Sequence, residues 1–320
     1  MSSQLRFDRL RREWVNIVGH RQHRPNLPAE GCPFCVGGLE APQPYDVKAF
    51  TNRWPSLTAG EPVDLAAIEA TGATVAPARG TTEVILYSPQ HHGSLATLGV
   101  EQVRKVIDLW AERTETLLAR DDVGYVLVFE NRGPEVGATI HHPHGQLYAY
   151  GFVPPVPRRI ADTTRSHGDP VAEELALERG DGARIVATVG TFTAYVPFAS
   201  AYPFGVRLVP HVDVQRIADL DTTARDDFAG ALVDLTGRYD ALFPEVADRE
   251  VPFPYLMWIH QAPEPREDPW FRLHVQFAPP WRAAGVPRYI ASGESGSGTF
   301  ANPVVPEDAA EMLRAARPNS

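Results

Sequence analysis

The sequence predicts an α+β fold built from two copies of one unit, in which a small antiparallel sheet packs against a helix. Two observations lead to this prediction. The same order of strand-like and helical segments occurs in each half of the 320-residue chain, which is long enough to bury two such cores. A His-x-Gln pattern, His144-Gly145-Gln146, also returns in the second half as His274-Val275-Gln276.

The first half begins with a strand-like segment, Glu83–Ser88, which precedes an amphipathic helix over Glu101–Leu118. Apolar residues recur along this helix at helical spacing, so one of its faces can cover a sheet. A strand over Tyr125–Glu130 follows, then a linker over Asn131–Ile140, and then the strand that carries the histidines. The unit is therefore a sheet with one covering helix.

The second half repeats this order with a strand over Gly205–Val209, a helix over Thr222–Leu242, and strands over Tyr255–His260 and Phe271–Phe277. A similar order of elements, with only a remnant of the histidine pattern on the last strand, indicates an ancient duplication. We expect one copy to have kept the chemistry.

The boundary between the copies is expected in the polar stretch Asp162–Arg184. It gives an N-terminal domain of residues 1–170 with the active-site motif and a degenerate C-terminal domain of residues 171–320. Near the end of the chain, the Gly- and Ser-rich segment Ser292–Ser297 is expected to be a flexible loop.

Composition limits the compartment and the partners. The net charge of -10 argues against a nucleic-acid partner, although a small anionic substrate needs only a local cluster of arginines. No apolar run approaches membrane-spanning length, and Met1–Arg6 lacks the apolar core of a secretion signal. We therefore expect a cytoplasmic protein that acts neither on a membrane nor on nucleic acid.

Both cysteines lie in the run Cys32-Pro33-Phe34-Cys35. Without further cysteines there is no disulfide framework, so the pair is a metal half-site, a redox motif or a chance occurrence. Glycines on both sides indicate a knuckle-like turn, which favours metal. A tetrahedral zinc needs four nitrogen or sulfur ligands, and the candidate partners are His91 or His92 together with His142.

The run His142-Pro143-His144-Gly145-Gln146 places three polar side chains at alternate positions. On a strand such residues share one face, so His142, His144 and Gln146 are expected to point together. The set suits attack on phosphorus, because it offers a nucleophile, a neighbour that fixes it and a donor for phosphoryl oxygens. Gly145 would let a phosphate approach the backbone. Two histidines alone would favour a surface or metal site; the surrounding residues favour the nucleophile.

This run, together with Phe129-Glu130-Asn131 upstream, resembles the active-site motif of the galactose-1-phosphate uridylyltransferases, the transferase branch of the histidine-triad superfamily. Other branches carry a third histidine in place of Gln146 and hydrolyse the nucleotidyl intermediate, so the resemblance implies transfer. It extends from Trp14 to Leu313 and implies duplicated histidine-triad-like modules. Their antiparallel sheets would join into an open, barrel-like sheet with flanking helices, and the protein would work as a homodimer.

The resemblance also implies one structural zinc ion per subunit. The four ligands it assigns are Cys32, Cys35, His91 and His142. Some relatives hold a second metal, but here Ile160 and Gln276 stand at two of its ligand positions. Because only His260 and His274 remain, we expect the second metal site to be absent.

Substrate contacts are assigned by the resemblance as well. The residues are Arg21 and Arg24 for the nucleotide phosphates, Phe50 and Asn52 for the nucleoside, Asn131 and Thr139 for the phosphates or the loop around them, and Arg288, Tyr289 and Glu294 for the hexose. Guanidinium groups suit phosphate oxygens. Arg53 stands where the family usually has Asp, which leaves the choice of nucleotide open.

The implied reaction is a two-step exchange of UMP between UDP-glucose and galactose 1-phosphate. His144 would form a uridylyl-histidine intermediate, and Gln146 would donate to the phosphoryl oxygens. One alternative is a related adenylyltransferase or a phosphorylase that acts on ADP-glucose. Another is a nonenzymatic, zinc-stabilised nucleotide-binding protein, against which the intact His144 and Gln146 argue.

Overall fold

The computed structural model describes residues 3–23, 31–58, 65–246, 253–266 and 268–317. The strands are β1 (Gln4–Asp8), β2 (Glu13–Ile17), β3 (Lys48–Thr51), β4 (Val75–Pro77), β5 (Gly80–Leu86), β6 (Tyr125–Arg132), β7 (His144–Tyr150), β8 (Ile185–Val189), β9 (Phe192–Tyr195), β10 (Val206–Pro210), β11 (Tyr255–His260), β12 (His274–Ala278), β13 (Trp281–Ala283) and β14 (Val286–Pro287). The helices are α1 (Ala66–Glu69), α2 (Val100–Leu118), α3 (Pro155–His167), α4 (Pro170–Asp181), α5 (Thr222–Ala241), α6 (Ser292–Ser297) and α7 (Pro306–Ala315). Short 3₁₀ helices lie at Gly19–His23, Pro134–Val136, Ile217–Asp219 and Pro244–Val246.

Nine strands form one open antiparallel sheet in the order β3-β5-β7-β6-β11-β12-β10-β9-β8. The first half contributes β5-β7-β6 and the second half contributes β11-β12-β10, so the two sets are arranged symmetrically about the central pair β6 and β11. This arrangement confirms the predicted α+β fold and the duplication, and it shows that the two copies share one sheet.

Helices α2 and α5 pack beside each other and contribute to the same hydrophobic core as the sheet. The buried face of α2 includes Ile107 and Trp110, and that of α5 includes Phe228 and Leu232. Asp221 begins α5 by accepting a hydrogen bond from the main-chain N–H of Ala224 at 2.8 Å, which is the usual role of an N-cap aspartate. The helices therefore cover one face of the sheet.

Strand β7 shows which residues face the core. Gly145, Leu147 and Ala149 are buried, whereas His144 and Gln146, with the tyrosines that follow at alternate positions, are only partly buried. Alternate residues of a strand point to opposite faces. His144 and Gln146 therefore lie on the face opposite Leu147 and the core.

Two predictions about the chain outside the sheet have different outcomes. The segment Ser292–Ser297 is helix α6 and not a flexible loop, because the Glu294 carboxylate accepts a hydrogen bond from the main-chain N–H of Ala291 at 2.9 Å and Gly298 ends the helix in the left-handed conformation. The polar stretch around residue 170 contains α3 and α4. The domain boundary at that residue stays a prediction.

Among the described residues, no helix is long and apolar enough to cross a membrane.

Candidate active site and metal centre

Strand β7 positions two of the three polar residues of the histidine motif. It lies between β5 and β6, with Gln146 paired to Val84 on one side and Phe129 on the other. The strand begins at His144. His142 lies in the bend before it, and the main-chain N–H of Tyr87 donates to the carbonyl oxygen of Pro143 at 3.1 Å. The expectation that all three side chains share a strand face was therefore wrong for His142.

The main chain fixes the imidazole of His144. Its Nδ1 lies 2.7 Å from the carbonyl oxygen of His142. Because a carbonyl oxygen only accepts hydrogen bonds, Nδ1 must carry the proton, and the lone pair of the neutral ring is on Nε2. This is the tautomer in which Nε2 can act as a nucleophile.

The second half keeps the same local geometry. Nδ1 of His274 lies 2.9 Å from the carbonyl oxygen of Arg272, again two residues earlier, and Gln276 pairs with Trp258 as Gln146 pairs with Phe129. His274, however, is buried, and burial lowers its pKa well below the usual range. The copy has thus kept the conformation of its histidine in a closed environment.

The residues assigned to a second metal in some relatives have other contacts here. The His260 and His274 rings lie 4.9 Å apart, and the charge of Arg207 contributes, after burial, to lowering the pKa of both. Ile160 packs against an apolar cluster that includes Phe271. This donor set does not fit a metal ion, and the predicted absence of a second metal stays a prediction.

A cavity of about 210 Å³ lies beside the histidine motif. His144, Asn131, His92 and His141 are among its lining residues. Oε1 of Gln146 is buried without a hydrogen-bond partner among the described residues. Because buried polar atoms are normally paired, this unsatisfied amide oxygen is suited to a ligand group that donates a hydrogen bond.

Four residues that are far apart in the sequence, Cys32, Cys35, His91 and His142, form a second group, called here the four-residue cluster. One ligand atom from each of them lies within 4.8 Å of the others. The distance from Sγ of Cys35 to Nδ1 of His91 is 3.4 Å, and the distances from Nδ1 of His142 to both sulfurs are 3.7 Å. A tetrahedral zinc with Zn–S of about 2.3 Å and Zn–N of about 2.0–2.1 Å separates such atoms by about 3.6 Å. The cluster could therefore hold a metal ion, and its geometry fits zinc.

The other nitrogen of His142 is also occupied. Its Nε2 lies 2.8 Å from the carbonyl oxygen of Ser88, so Nε2–H donates and Nδ1 keeps its lone pair towards the cysteines. Burial lowers the pKa of His142 to about 4, which favours the neutral ring that a metal needs. Burial, with Cys32 as a neighbour, raises the pKa of the Cys35 thiol.

Two residues of this centre were missed in the sequence. The hydroxyl of Tyr45 donates to the carbonyl oxygens of Phe34 at 2.7 Å or Ser88 at 2.9 Å and lies 3.0 Å from Nε2 of His142. The ring of Phe34 lies edge-on to that of His144, with centroids 5.1 Å apart. The position of Phe34 between the two cysteines was a signal that could have found it; Tyr45 had none.

Gly145 has a different role from the one expected. A Cβ at this position would lie 2.2 Å from the hydroxyl oxygen of Tyr87, on the buried side of the strand. The absence of a side chain therefore makes room for Tyr87 in the core, and the expectation that it admits a phosphate was wrong.

Three residues predicted to contact substrate lie either beside β7 or beside the four-residue cluster. Nη1 of Arg21 lies 3.5 Å from the hydroxyl of Tyr148, on the same strand face as Gln146. The ring of Phe50 lies 5.9 Å from Phe34, and Thr139 lines a second cavity next to the four-residue cluster. Arg24 lies outside the described residues.

The nucleoside segment is held by local contacts. The side-chain oxygen of Asn52 accepts a hydrogen bond from the main-chain N–H of Trp54 at 2.9 Å, which shapes the turn. Nε of Arg53 lies 2.9 Å from Oε1 of Glu40. The arginine that replaces the usual Asp is therefore paired with the loop that carries the cysteines.

The three residues predicted for the hexose form a separate group. Glu294 accepts hydrogen bonds from the N–H groups of Ala291 and Ala301, both at 2.9 Å, and pairs with Arg288. Tyr289 is 80% exposed. None of the three lines the cavity beside His144 in the described part of the chain.

Comparison with known proteins agrees with this geometry. Residues 1–154 match the family described as "Galactose-1-phosphate uridyl transferase, N-terminal domain", and residues 161–318 match its C-terminal domain. A galactose-1-phosphate uridylyltransferase of Thermotoga maritima is 38% identical over 319 residues, covering 97% of this chain and 98% of that protein. A solved uridylyltransferase structure has a TM-score of 0.83 at 28% identity and covers 98% of both chains. An ADP-glucose phosphorylase of Arabidopsis thaliana is 25% identical, covering 98% of this chain and 93% of that protein. The chain belongs to the galactose-1-phosphate uridylyltransferase family.

Proposed function

We propose that this enzyme transfers a uridylyl group between UDP-glucose and galactose 1-phosphate through a covalent intermediate on His144. The hydrogen bond from Nδ1 of His144 to the His142 carbonyl oxygen is the observation that carries the proposal. It puts the proton of the neutral ring on Nδ1 and the lone pair on Nε2, and His144 lines the cavity in which a phosphoryl group would be attacked.

In the first step, Nε2 of His144 attacks the α-phosphorus of UDP-glucose and forms an N–P bond. The P–O bond to glucose 1-phosphate breaks, and its electron pair leaves with that phosphate. A phosphate monoester has a second pKa of about 6, so the leaving group needs no strong general acid. In the second step an oxygen of galactose 1-phosphate attacks the same phosphorus and releases Nε2.

The surrounding residues would stabilise charge on the phosphoryl oxygens. The amide of Gln146 would donate its N–H groups to these oxygens, and Asn131 lines the cavity beside His144. Arg21, near Tyr148, and Arg24 would contact the phosphates. Phe50 and Asn52 would face the nucleoside, Thr139 would order the loop, and Arg288, Tyr289 and Glu294 would contact the hexose.

The four-residue cluster would hold zinc as a structural ion. Cys32, Cys35, His91 and His142 would supply four protein ligands, and a zinc closed in this way supplies no open position for chemistry. Its contribution would be to hold the segments that carry Phe34 and His142. We also propose that the enzyme works as a homodimer, which light scattering can test.

Mass spectrometry after brief exposure to nucleotide sugars tests the reaction. UDP-glucose should add one uridylyl group to the peptide that contains His144, and galactose 1-phosphate should remove it. His144→Ala should abolish both labelling and exchange while the fold persists. Persistent exchange in that variant would refute the role of His144, and binding without any labelling would support a nonenzymatic protein.

A second candidate substrate is ADP-glucose, used by an adenylyltransferase or a phosphorylase. This candidate is kept because the nucleoside segment has Arg53 at the position where the family usually has Asp. Arg53 pairs with Glu40. Parallel labelling with UDP-glucose and ADP-glucose separates the two. An adenylyl adduct formed faster than a uridylyl adduct would replace the first proposal with the second.

A further inference from the structure

Phe34 connects the metal cluster to the proposed nucleophile. It lies between the two cysteines, is only 5% exposed, and its ring lies 5.1 Å from that of His144 at an interplanar angle of 61°. We propose that Phe34 is a positioning residue, which holds the His144 imidazole in the orientation from which Nε2 attacks phosphorus. This inference rests on the proposed function and goes beyond it.

The hydrogen bond to the His142 carbonyl determines the tautomer of His144, whereas the contact with Phe34 is made by the ring as a whole. An attacking atom displaced by about 1 Å can cost a factor of about 100 in rate. The edge-on contact with Phe34 limits displacement of the imidazole and so of Nε2, and edge-to-face aromatic pairs are favourable in themselves.

Phe34 can act in this way because it is itself held on several sides. Cys32 and Cys35 on either side belong to the metal cluster. The Phe34 carbonyl oxygen accepts a hydrogen bond from Tyr45 at 2.7 Å, and its ring also packs edge-on against Phe50 at 5.9 Å. The four-residue cluster is therefore connected to His144 by two contacts, the hydrogen bond to the His142 carbonyl oxygen and the packing of the Phe34 ring.

The test compares Phe34→Ala and Phe34→Leu with the wild type in a rapid-quench measurement of uridylyl-histidine formation from UDP-glucose. A residue that positions the nucleophile should change the labelling rate at saturation rather than the half-saturating concentration. We expect Phe34→Ala to label at least about tenfold more slowly at saturation, with half-saturation changed by less than about threefold. Phe34→Leu, which fills most of the volume without a ring, should be slowed by a smaller factor.

A substrate-free readout separates positioning from loss of the metal centre. In ¹⁵N-histidine-labelled protein, the His144 ring signals, assigned by comparison with His144→Gln, should broaden in Phe34→Ala while zinc content stays at the wild-type value. Phe7→Ala is the matched control, because Phe7 also makes an aromatic contact, with Trp14 at 5.2 Å, but in the β1–β2 hairpin. It should change neither the His144 signals nor the labelling rate.

Each outcome decides one question. If the wild type is labelled and both Phe34 variants label at the wild-type rate, the inference about Phe34 is wrong and the proposed function stands. If Phe34→Ala loses zinc, the saturating rate of zinc-loaded Phe34→Leu decides, and a wild-type rate overturns the inference. If the wild type itself is never labelled, the proposed function fails first.

Discussion

His144 is hydrogen-bonded to the main chain of His142, whose own side chain belongs to the four-residue cluster. Nδ1 of His144 lies 2.7 Å from the carbonyl oxygen of His142, and Nδ1 of His142 lies 3.7 Å from the sulfurs of Cys32 and Cys35. The side chain of His142 would thus bind the metal while its carbonyl fixes the tautomer of His144. A change in the residues of this cluster, or loss of its metal ion, should therefore alter the position of His144, the proposed nucleophile.

Replacing a ligand should lower zinc content and stability together. We expect Cys32→Ser and His91→Ala to hold well under one zinc per chain and to melt more than about 5 °C below the wild type, since structural zinc contributes directly to folding. Elemental analysis and thermal melting measure the two effects. His92→Ala is the control, because its ring lies beside His91 but outside the cluster. Unchanged metal content in Cys32→Ser would rule out the assignment.

Tyr45→Phe should weaken zinc binding without removing a ligand. The variant loses the hydroxyl that lies within hydrogen-bond distance of Phe34, Ser88 and His142, and loss of such outer contacts typically lowers metal affinity 10- to 100-fold. Competition with a chromogenic chelator measures this affinity. We expect a decrease of about tenfold and a loss of about 1 kcal/mol in the free energy of unfolding.

Tyr239→Phe is the matched control for this change. Its hydroxyl is buried and donates to the carbonyl oxygen of Phe204 at 2.8 Å, so its removal also costs a hydrogen bond. It lies outside the metal cluster and should reduce stability without changing zinc affinity. Equal zinc affinity in Tyr45→Phe and the wild type would contradict the role of Tyr45.

The fold was predictable because the pattern of apolar residues repeats. The α2 and α5 helices were expected over Glu101–Leu118 and Thr222–Leu242, and they are observed at Val100–Leu118 and Thr222–Ala241. That the sheets of the two copies join was implied only by the family resemblance, and the structure shows that β6 and β11 make the joint. No pattern within one strand shows which strand of the other copy will pair with it.

From residue spacing alone the site was predictable only where neighbours in sequence are neighbours in space; the cluster of Cys32, Cys35, His91 and His142, whose members are far apart in the sequence, came from the family resemblance. His144 and Gln146 share a strand face as alternation requires, but the bend around Pro143 turns His142 towards the cysteines. Tyr45 is 97 residues from His142, and no spacing rule links the two. The helix at Ser292–Ser297 depends on the Glu294 side chain acting as a cap, which Gly and Ser content does not reveal.

Gly145→Ala should destabilise the enzyme through a collision inside the core. The new Cβ would lie 2.2 Å from the Tyr87 hydroxyl oxygen and 3.0 Å from the carbonyl oxygen of Phe129, and overpacking of this kind costs about 1–3 kcal/mol. Tyr87→Phe removes the nearest atom. Urea unfolding of both single variants and the double variant should therefore show a double variant more stable than the sum of its parts. If the changes in the free energy of unfolding are strictly additive, the Tyr87 hydroxyl is not what the new Cβ collides with.

Glu130 should make stability depend on pH. Its carboxyl is buried and accepts a hydrogen bond from Tyr255 at 3.0 Å, and burial raises its pKa to about 7 despite the opposing charge of Arg132. Tyr87 also interacts with the carboxyl, and Asp240 raises its pKa further. Because the folded state holds this proton more tightly than the unfolded state, the stability it contributes is complete below about pH 4.5 and is lost as the pH rises through about 7.

Glu130→Gln isolates this effect, because an amide has a similar shape and does not titrate. The loss of stability due to Glu130 is on the order of 3 kcal/mol, at about 1.4 kcal/mol per pKa unit. The free energy of unfolding of the variant minus that of the wild type should therefore rise between about pH 4.5 and 7.5. The subtraction removes the contribution of the buried histidines, which have the opposite sign because their pKa values are lowered. A flat difference for Glu130→Gln would show that the Glu130 carboxyl does not hold its proton in the folded enzyme.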